Sequence, residues 1–424
     1  MLINLQAFIN SNMFASNVPF GQTANIPFQS RTVSQPFIPA AVPPAPNKDN
    51  VERPKELDLP RFMSYYADYS GCGHWRLIWP EQVLNAHMKA VCHGTTVMNL
   101  DPRYYVMAKG VRVQRQATKQ QLEFVKFLKE VQKQNGMKIM YEIDDLCFKE
   151  DIPDYNKYKP AFENPEIRES AQAIMSLCDE ITVTCDFMKD YYMEKTGNKN
   201  ISVIPNFMPK FWLGHYYDLT KNMNNLDKYK KKPRILYAGS GAHFDVDNRV
   251  NHKDDFHHVN EIIRKTVDKF QWVFLGAFPL PLIDLVRAGK VEFHQWKRLF
   301  EYGDAISNLN INMMVAPLQN NNFNKSKSDL KYIEASAFGL PIACQDLCTY
   351  ANAPIKFNTG AEMIDQIVTT LKDTDKYKST CKKARQYADT RWLETDSNID
   401  CYMELYTTPF GDKSRKNMGR YNNY

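Results

Sequence analysis

The chain has 424 residues and a formal net charge of +6, with 43% apolar and 24% charged residues. That length is roughly two or three domains, and the composition is ordinary globular usage, which excludes a collagen-like or wholly disordered chain. No apolar run approaches the ~18 residues of a membrane helix, and the opening MLINLQAFINSNMF has no basic n-region, so no secretory signal is expected and the chain is read as cytoplasmic.

Residues 1–58 form a low-charge stretch rich in Pro, Asn, Ser and Gln, where Pro36, Pro39, Pro43, Pro44, Pro46 and Pro54 forbid a regular helix. It reads as an extended or disordered arm, with Phe20, Phe28 and Phe37 as apolar spots able to dock on the body. Residues 59–217 then alternate apolar runs (138–143, 180–183) with amphipathic stretches (119–134, 167–178), and 201–205 closes this half. Such alternation implies parallel strands joined by crossover helices. The polar, lysine-rich residues 218–233 read as an interdomain linker.

A second alternating series fills residues 234–390. Strands are expected at 234–238, 272–275, 291–294, 311–316 and 341–343, and helices at 259–269, 281–288, 296–308 and 361–373. The first strand runs into Gly239-Ser240-Gly241, and residues 391–424 supply a C-terminal helix and basic tail. The fold class is therefore α/β, two Rossmann-like domains facing each other across a cleft, with ligands expected at the carboxyl ends of the strands.

The nine cysteines are scattered and odd in number, which points to reduced thiols. Cys344 and Cys348 are close, but no second pair follows at zinc-ribbon spacing. His257 and His258 with Asp254 and Asp255 fit a polar helix start better than a metal site.

Residues 323–334, Phe-Asn-Lys-Ser-Lys-Ser-Asp-Leu-Lys-Tyr-Ile-Glu, carry the most chemistry. Ser328 suits an N-cap and Asp329 the positive end of a helix that runs toward Phe338, where Gly339 and Pro341 stop it. Lys327, Lys331 and Glu334 then share one face. Free amides at the helix start, joined by lysine, form an anion site for a diphosphate, and a carboxylate two turns on accepts ribose hydroxyls. The same spacing also describes a solvated face with an ordinary Lys–Glu pair.

The run 334–341, Glu-Ala-Ser-Ala-Phe-Gly-Leu-Pro, preceded by Phe-Asn-x-x-Lys-Ser-x-x-Lys, resembles the donor motif of retaining GT-B glycosyltransferases of family 4. Tyr237-Ala238-Gly239-Ser240 with His243 or His252 and Asp255, Val203-Ile204-Pro205-Asn206, and Ser70-Gly71-Cys72-Gly73-His74-Trp75-Arg76 resemble further motifs of that family in the expected order. So do Tyr141 to Asp145, Trp296, and Ala316-Pro317-Leu318. Two departures stand out: Ser326 occupies the place of a second glutamate, and residues 244–251 are inserted in the Gly-Ser…His region.

The resemblance implies a GT-B fold and a retaining hexosyl- or pentosyltransferase with a nucleotide-sugar donor, a UDP-sugar such as that of glucose or arabinose, and no required metal. Gly239, Ser240, Gly241, Lys327, Ser328, Lys331 and Glu334 would hold the donor, with Gly71 and Gly73 on the opposite wall. Lys327, His74 and Arg76 would serve catalysis, and Asp144 and Asp145 would contact sugar or acceptor. Members resembling this chain occur in T-even-like bacteriophages, which implies double-stranded DNA bearing hydroxymethylated cytosine as acceptor. The clusters 228–234 and 413–420 are compatible with DNA. A cell-surface glycan or protein acceptor, and a noncatalytic GT-B-like binding protein, are the alternatives.

Overall fold

The computed structural model describes residues 58–415. The expected arm therefore lies outside the described residues except for Asp58, as does the tail beyond Arg415. The described chain forms two six-stranded, all-parallel sheets. The first contains β1 (Arg61–Tyr65), β2 (Val91–Thr95), β3 (Ala108–Gln114), β4 (Lys138–Glu142), β5 (Glu180–Val183) and β6 (Ile201–Val203) in the order β2-β1-β3-β4-β5-β6. The second contains β7 (Arg234–Gly239), β8 (Gln271–Gly276), β9 (Glu292–Gln295), β10 (Met313–Ala316), β11 (Ile342–Gln345) and β12 (Ile355–Phe357) in the order β12-β11-β10-β7-β8-β9.

The central strands read as continuous apolar runs because helices cover both faces of each sheet. Ile139, Met140 and Tyr141 of β4, and Trp272, Val273 and Phe274 of β8, are at most 1% exposed. The helix Lys119–Asn135 shows how local sequence sets an element: Thr118 and Gln121 form a capping box, and Gly136 ends the helix at φ 69°. Its Phe124, Val125, Leu128 and Val131 recur at helical spacing and enter the first core.

Strand order reverses between β7 and β10 in the second sheet and between β1 and β3 in the first. Crevices at the carboxyl ends of strands open at such switch points, which is where ligands sit in doubly wound sheets. Gly239-Ser240-Gly241 and Pro317 follow β7 and β10, while the loop to Gly71 follows β1.

The chain crosses between domains at 204–209, beside its own return at 390–395: Met208 N donates to Arg391 O and Leu393 N to Met208 O, both at 2.9 Å. The helix Asp396–Thr407 then packs on the first domain, with Tyr406 stacked on Phe62 at 4.1 Å. The expected linker is instead largely the helix Leu219–Lys228, capped by Asp218 and docked on the second domain. Leu219, Met223 and Leu226 make an apolar stripe against Tyr377 and Cys381 that the lysines around it obscure in the sequence. The helix expected over 296–308 also starts late: Trp296 to Arg298 are irregular, and the helix is Tyr302–Asn308.

Candidate functional site

β7 delivers Gly239 to the switch point, where a side chain has no room. A Cβ there would lie 2.6 Å from the Tyr237 hydroxyl and 2.8 Å from Lys331 Nζ. Ser240 then accepts from Ala242 N at 3.3 Å and opens the short turn Gly241–His243. Lys331 and Glu334 arrive on the helix Leu330–Ala337. Lys331 Nζ donates to Ala238 O at 2.6 Å and lies 4.7 Å from the centre of the Tyr237 ring. Burial holds its pKa below the usual lysine range. Glu334 Oε2 accepts from the Tyr302 hydroxyl at 2.8 Å, and burial pushes its carboxyl above the usual range.

Ser328 does not cap this helix. Asp329 occupies the N-cap position without a capping bond, its carboxylate bound by the Tyr387 hydroxyl and Arg391. Upstream, Asn321 caps a separate turn, Asn322–Lys325, by accepting from Asn324 N at 2.8 Å. Residues 326–329 are therefore a connection, and Lys327 does not share a helical face with Lys331 and Glu334. Lys327 Nζ instead reaches Asp145 Oδ2 of the first domain at 2.7 Å, and Ser328 Oγ accepts from Asn206 Nδ2 at 2.8 Å.

Asp255 organises the floor of the site. Its Oδ2 meets His243 Nδ1 at 2.7 Å, and its Oδ1 accepts from Tyr155 at 2.7 Å, Asn324 Nδ2 at 2.6 Å and Gln319 N at 2.9 Å. His243, rather than His252, is thus the histidine joined to this acidic residue. Burial lowers its pKa against the raising effect of Asp255. The inserted residues 244–251 form a self-supporting loop, because the Asp245 carboxylate accepts from the amides of Arg249, Val250 and His252 at 2.7, 3.0 and 3.0 Å. Asp254 beneath it is pushed up to about 7 by burial.

On the opposite wall, Asp68 Oδ1 accepts from Ser70 N at 2.7 Å and Ser70 Oγ at 2.6 Å. A Cβ on Gly73 would overlap the Asp68 carbonyl, whereas one on Gly71 would meet nothing within 4 Å. Gly73 is thus required by packing and Gly71 leaves open space. His74 begins the π-turn His74–Ile78, between the turn Gly71–Gly73 and the helix Trp79–Ala86. Such turns often mark functional sites. Its Nδ1 lies 2.8 Å from Ser70 O, and its ring meets Phe300 of the second domain edge-on at 6.1 Å.

Arg76 does not line the cleft. It is 1% exposed, and its guanidinium binds Glu142 at 2.6 Å, Ile204 O at 2.7 Å and Asn206 Oδ1 at 2.9 Å. A buried cation must be paired and hydrogen-bonded, and the fully buried Glu142 does this for Arg76 and Arg112 together. Arg76 is linked to Ser328 through Asn206. Asp144 faces Arg115 at 3.7 Å, which holds its carboxyl below the usual range although burial opposes this.

The structure thus gathers Gly239, Ser240, Gly241, Lys327, Ser328, Lys331 and Glu334 at one switch point, with Gly71, Gly73 and His74 across from it. It adds Tyr302, Tyr155 and Asn321, which the sequence reading missed. Asn206 and Asn324 were visible only as letters in motifs. Tyr155 had no sequence signal, since its partner Asp255 lies in the other domain.

Among solved structures, the chain is similar to Anabaena Alr3699/HepE crystallised with UDP, at 11% identity and TM-score 0.53, covering 82% of this chain and 99% of that one. The same protein with UDP-glucose gives TM-score 0.54 at 10% identity over the same shares. The N-terminal domain of Candida albicans trehalose-6-phosphate phosphatase gives TM-score 0.53 at 9% identity, covering 87% of this chain and 100% of that one. No protein-family model matches the sequence, and no curated protein matches it. The likeness shows the fold: two facing Rossmann-like domains in the GT-B arrangement.

Proposed function

We propose that the chain transfers a sugar from a nucleoside-diphosphate sugar to an acceptor hydroxyl with retention of configuration. The observation that carries this reading is the delivery of Lys331 and Glu334 by one helix to the carboxyl end of β7, under Gly239 and beside Lys327. The diphosphate gains negative charge as the glycosidic bond breaks. Preorganised cations and amides aimed at developing charge lower such barriers. Lys327, Lys331 and the backbone of Gly239-Ser240-Gly241 are the groups that would receive it. Tyr302 occupies Glu334 Oε2, which leaves Oε1 to accept from ribose hydroxyls.

His74 is the residue for the acceptor side. A carbonyl oxygen only accepts, so Nδ1 carries the proton shared with Ser70 O. In the uncharged ring Nε2 is then an acceptor, oriented by that bond. The UDP-sugar reading is supported by the complexes of Alr3699/HepE with UDP and UDP-glucose. Among the described residues, no group of three or more His, Cys, Asp or Glu side chains is arranged to hold a metal, and no helix is long and apolar enough to cross a membrane.

A DNA acceptor rests on the sequence resemblance and the net charge of +6. Two basic features cited for it are partly neutralised: Arg234 binds Glu292, and Arg415 binds Glu180, each at 2.8 Å. Incubation with UDP-glucose and other common sugar nucleotides, with release of the nucleoside diphosphate as readout, tests the enzyme. Binding without turnover of any of them would leave a noncatalytic binding protein. A gel shift with duplex DNA at two salt concentrations tests the acceptor, since phosphate contacts weaken steeply with salt; no shift at low salt removes DNA.

A further inference from the structure

Two cysteines from different domains meet at the donor segment. Cys185 stands at the N-cap of the helix Asp186–Thr196, directly after β5. Its Sγ lies 3.5 Å from Ser326 O and 3.9 Å from Lys325 O. Cys348 opens the turn Cys348–Tyr350 after β11 in the second domain, and its Sγ lies 3.7 Å from the same Lys325 O. The two sulfurs thus share one carbonyl, at 3.9 and 3.7 Å, one residue before Ser326 and two before Lys327.

The other cysteines behave differently. Cys147, Cys178, Cys344, Cys381 and Cys401 are buried. Cys72 faces Arg115 at 3.3 Å, and Cys92 lies on β2. The sequence neighbour Cys344 is 0% exposed inside the second-domain core, whereas Cys348 is exposed. The adjacent Thr349 hydroxyl bonds Asn324 O at 2.6 Å, so the Cys348 turn is seated on the donor segment.

We infer that Cys185 and Cys348 form a reversible interdomain disulfide that locks the donor segment. The inference that this lock governs donor binding rests on the reading of that segment given above. The chemistry requires a small-molecule disulfide such as oxidised glutathione. The exposed Cys348 thiolate attacks one of its sulfurs, forming a mixed disulfide and releasing one glutathione thiolate. The Cys185 thiolate then attacks the Cys348 sulfur and releases the second. Two protein thiols become one disulfide, one oxidised glutathione becomes two glutathiones, and both protons follow the leaving thiolates. The order of attack follows from access: Cys348 is exposed and attacks first, while burial pushes the Cys185 thiol up to about 12 and makes its resolving attack the slower step.

A covalent tie across the cleft fixes the separation of the domains at residues 325–327. The donor diphosphate, which must reach Lys327 between Asp145 and Ser328, is then excluded. Reducing agent breaks the tie.

The test uses the full chain incubated with oxidised glutathione at pH 8, digested without reduction and mapped by mass spectrometry. A Cys185–Cys348 linked peptide from the monomer is expected, absent in Cys185→Ser and in Cys348→Ser, with UDP affinity lowered at least tenfold and restored by dithiothreitol. Glutathione retained on Cys348 with no linked peptide, or links between chains only, overturns the disulfide. A linked peptide with unchanged UDP affinity overturns the lock. If the reduced protein binds no nucleotide, the donor-site reading fails, while the linked peptide still decides the disulfide.

Discussion

Replacing Asp145 with Asn should tighten nucleotide binding. Lys327 Nζ lies 2.7 Å from Asp145 Oδ2, and both side chains are 23% exposed. A diphosphate that takes Lys327 must first displace this carboxylate, so Asp145 occupies the place of the ligand. A partly buried pair of this geometry is worth about 1–2 kcal/mol, above the surface median and below a fully desolvated pair. Asn keeps the shape and removes the charge, so Asp145→Asn should lower the Kd for UDP by roughly 5–30-fold. Calorimetric titration at 50 and 300 mM salt checks it, and the gain should shrink at the higher salt as charge interactions are screened. Lys327→Ala should lose affinity in both backgrounds. Unchanged or weaker binding by Asp145→Asn would show that Lys327 stays on Asp145 when nucleotide binds, and the diphosphate assignment of Lys327 would fall.

The remaining predictions concern ribose, packing and pH. Glu334→Gln should cost roughly tenfold in UDP affinity, as expected for a lost charged hydrogen bond, and should abolish any preference for UDP over 2′-deoxy-UDP; a retained preference would move the ribose elsewhere. Gly73→Ala should lower thermal stability by about 2–4 kcal/mol because the new methyl overlaps the Asp68 carbonyl, and an unchanged melting temperature would contradict the loop geometry. Arg76→Met should destabilise by about 3–5 kcal/mol by leaving Glu142 with less charge compensation, and activity per folded molecule should fall far less than in Lys327→Ala. Asp254 binds its proton more tightly folded than unfolded, since burial pushes it up to about 7 from 3.8. Its stabilising contribution is therefore complete below about pH 4 and is lost as pH rises to 7. Urea midpoints should carry this falling component between pH 4 and 7 in the wild type and lack it in Asp254→Asn.

Much of the fold was legible because each sheet is built from short apolar runs separated by amphipathic helices, and that alternation survives in one dimension. What escaped the sequence was the effect of tertiary partners on local signals. Ser328 is a good N-cap by residue type, but Asn206 binds its hydroxyl and the helix starts one residue later with Asp329 at the N-cap, while Asn321 caps a separate turn before it. The helix Leu219–Lys228 hid behind its lysines because only three residues face the core. Arg76 stands among glycines and histidine in a motif, but position in a motif says nothing of burial. Its role is set by Glu142, which stands at the end of β4 and 66 residues along the chain. The choice of His243 over His252 turned on how an eight-residue insertion folds, and this depends on one carboxylate gathering three amides.

The asparagines at 321, 322 and 324 all make contacts between the domains. Asn321 and Asn324 both donate to the Tyr155 hydroxyl at 3.2 Å, Asn322 donates to Asp151 at 2.9 Å, and Asn206 reaches Ser328 from the other side. Each is a hydrogen bond from an uncharged amide, which water replaces at little net cost when the cleft opens. The pair Lys327–Asp145 is different in kind, because its separation leaves two charges to be solvated or paired again. A ligand bearing a diphosphate resolves that difference for Lys327, and a neutral sugar does not. Opening of the cleft around this segment is therefore inexpensive at the asparagines and selective at one lysine. On the function proposed above, anionic nucleotides rather than free sugars would shift the domain equilibrium, and would do so through Lys327 rather than Lys331, since Lys331 is already bound within its own domain to Ala238 O.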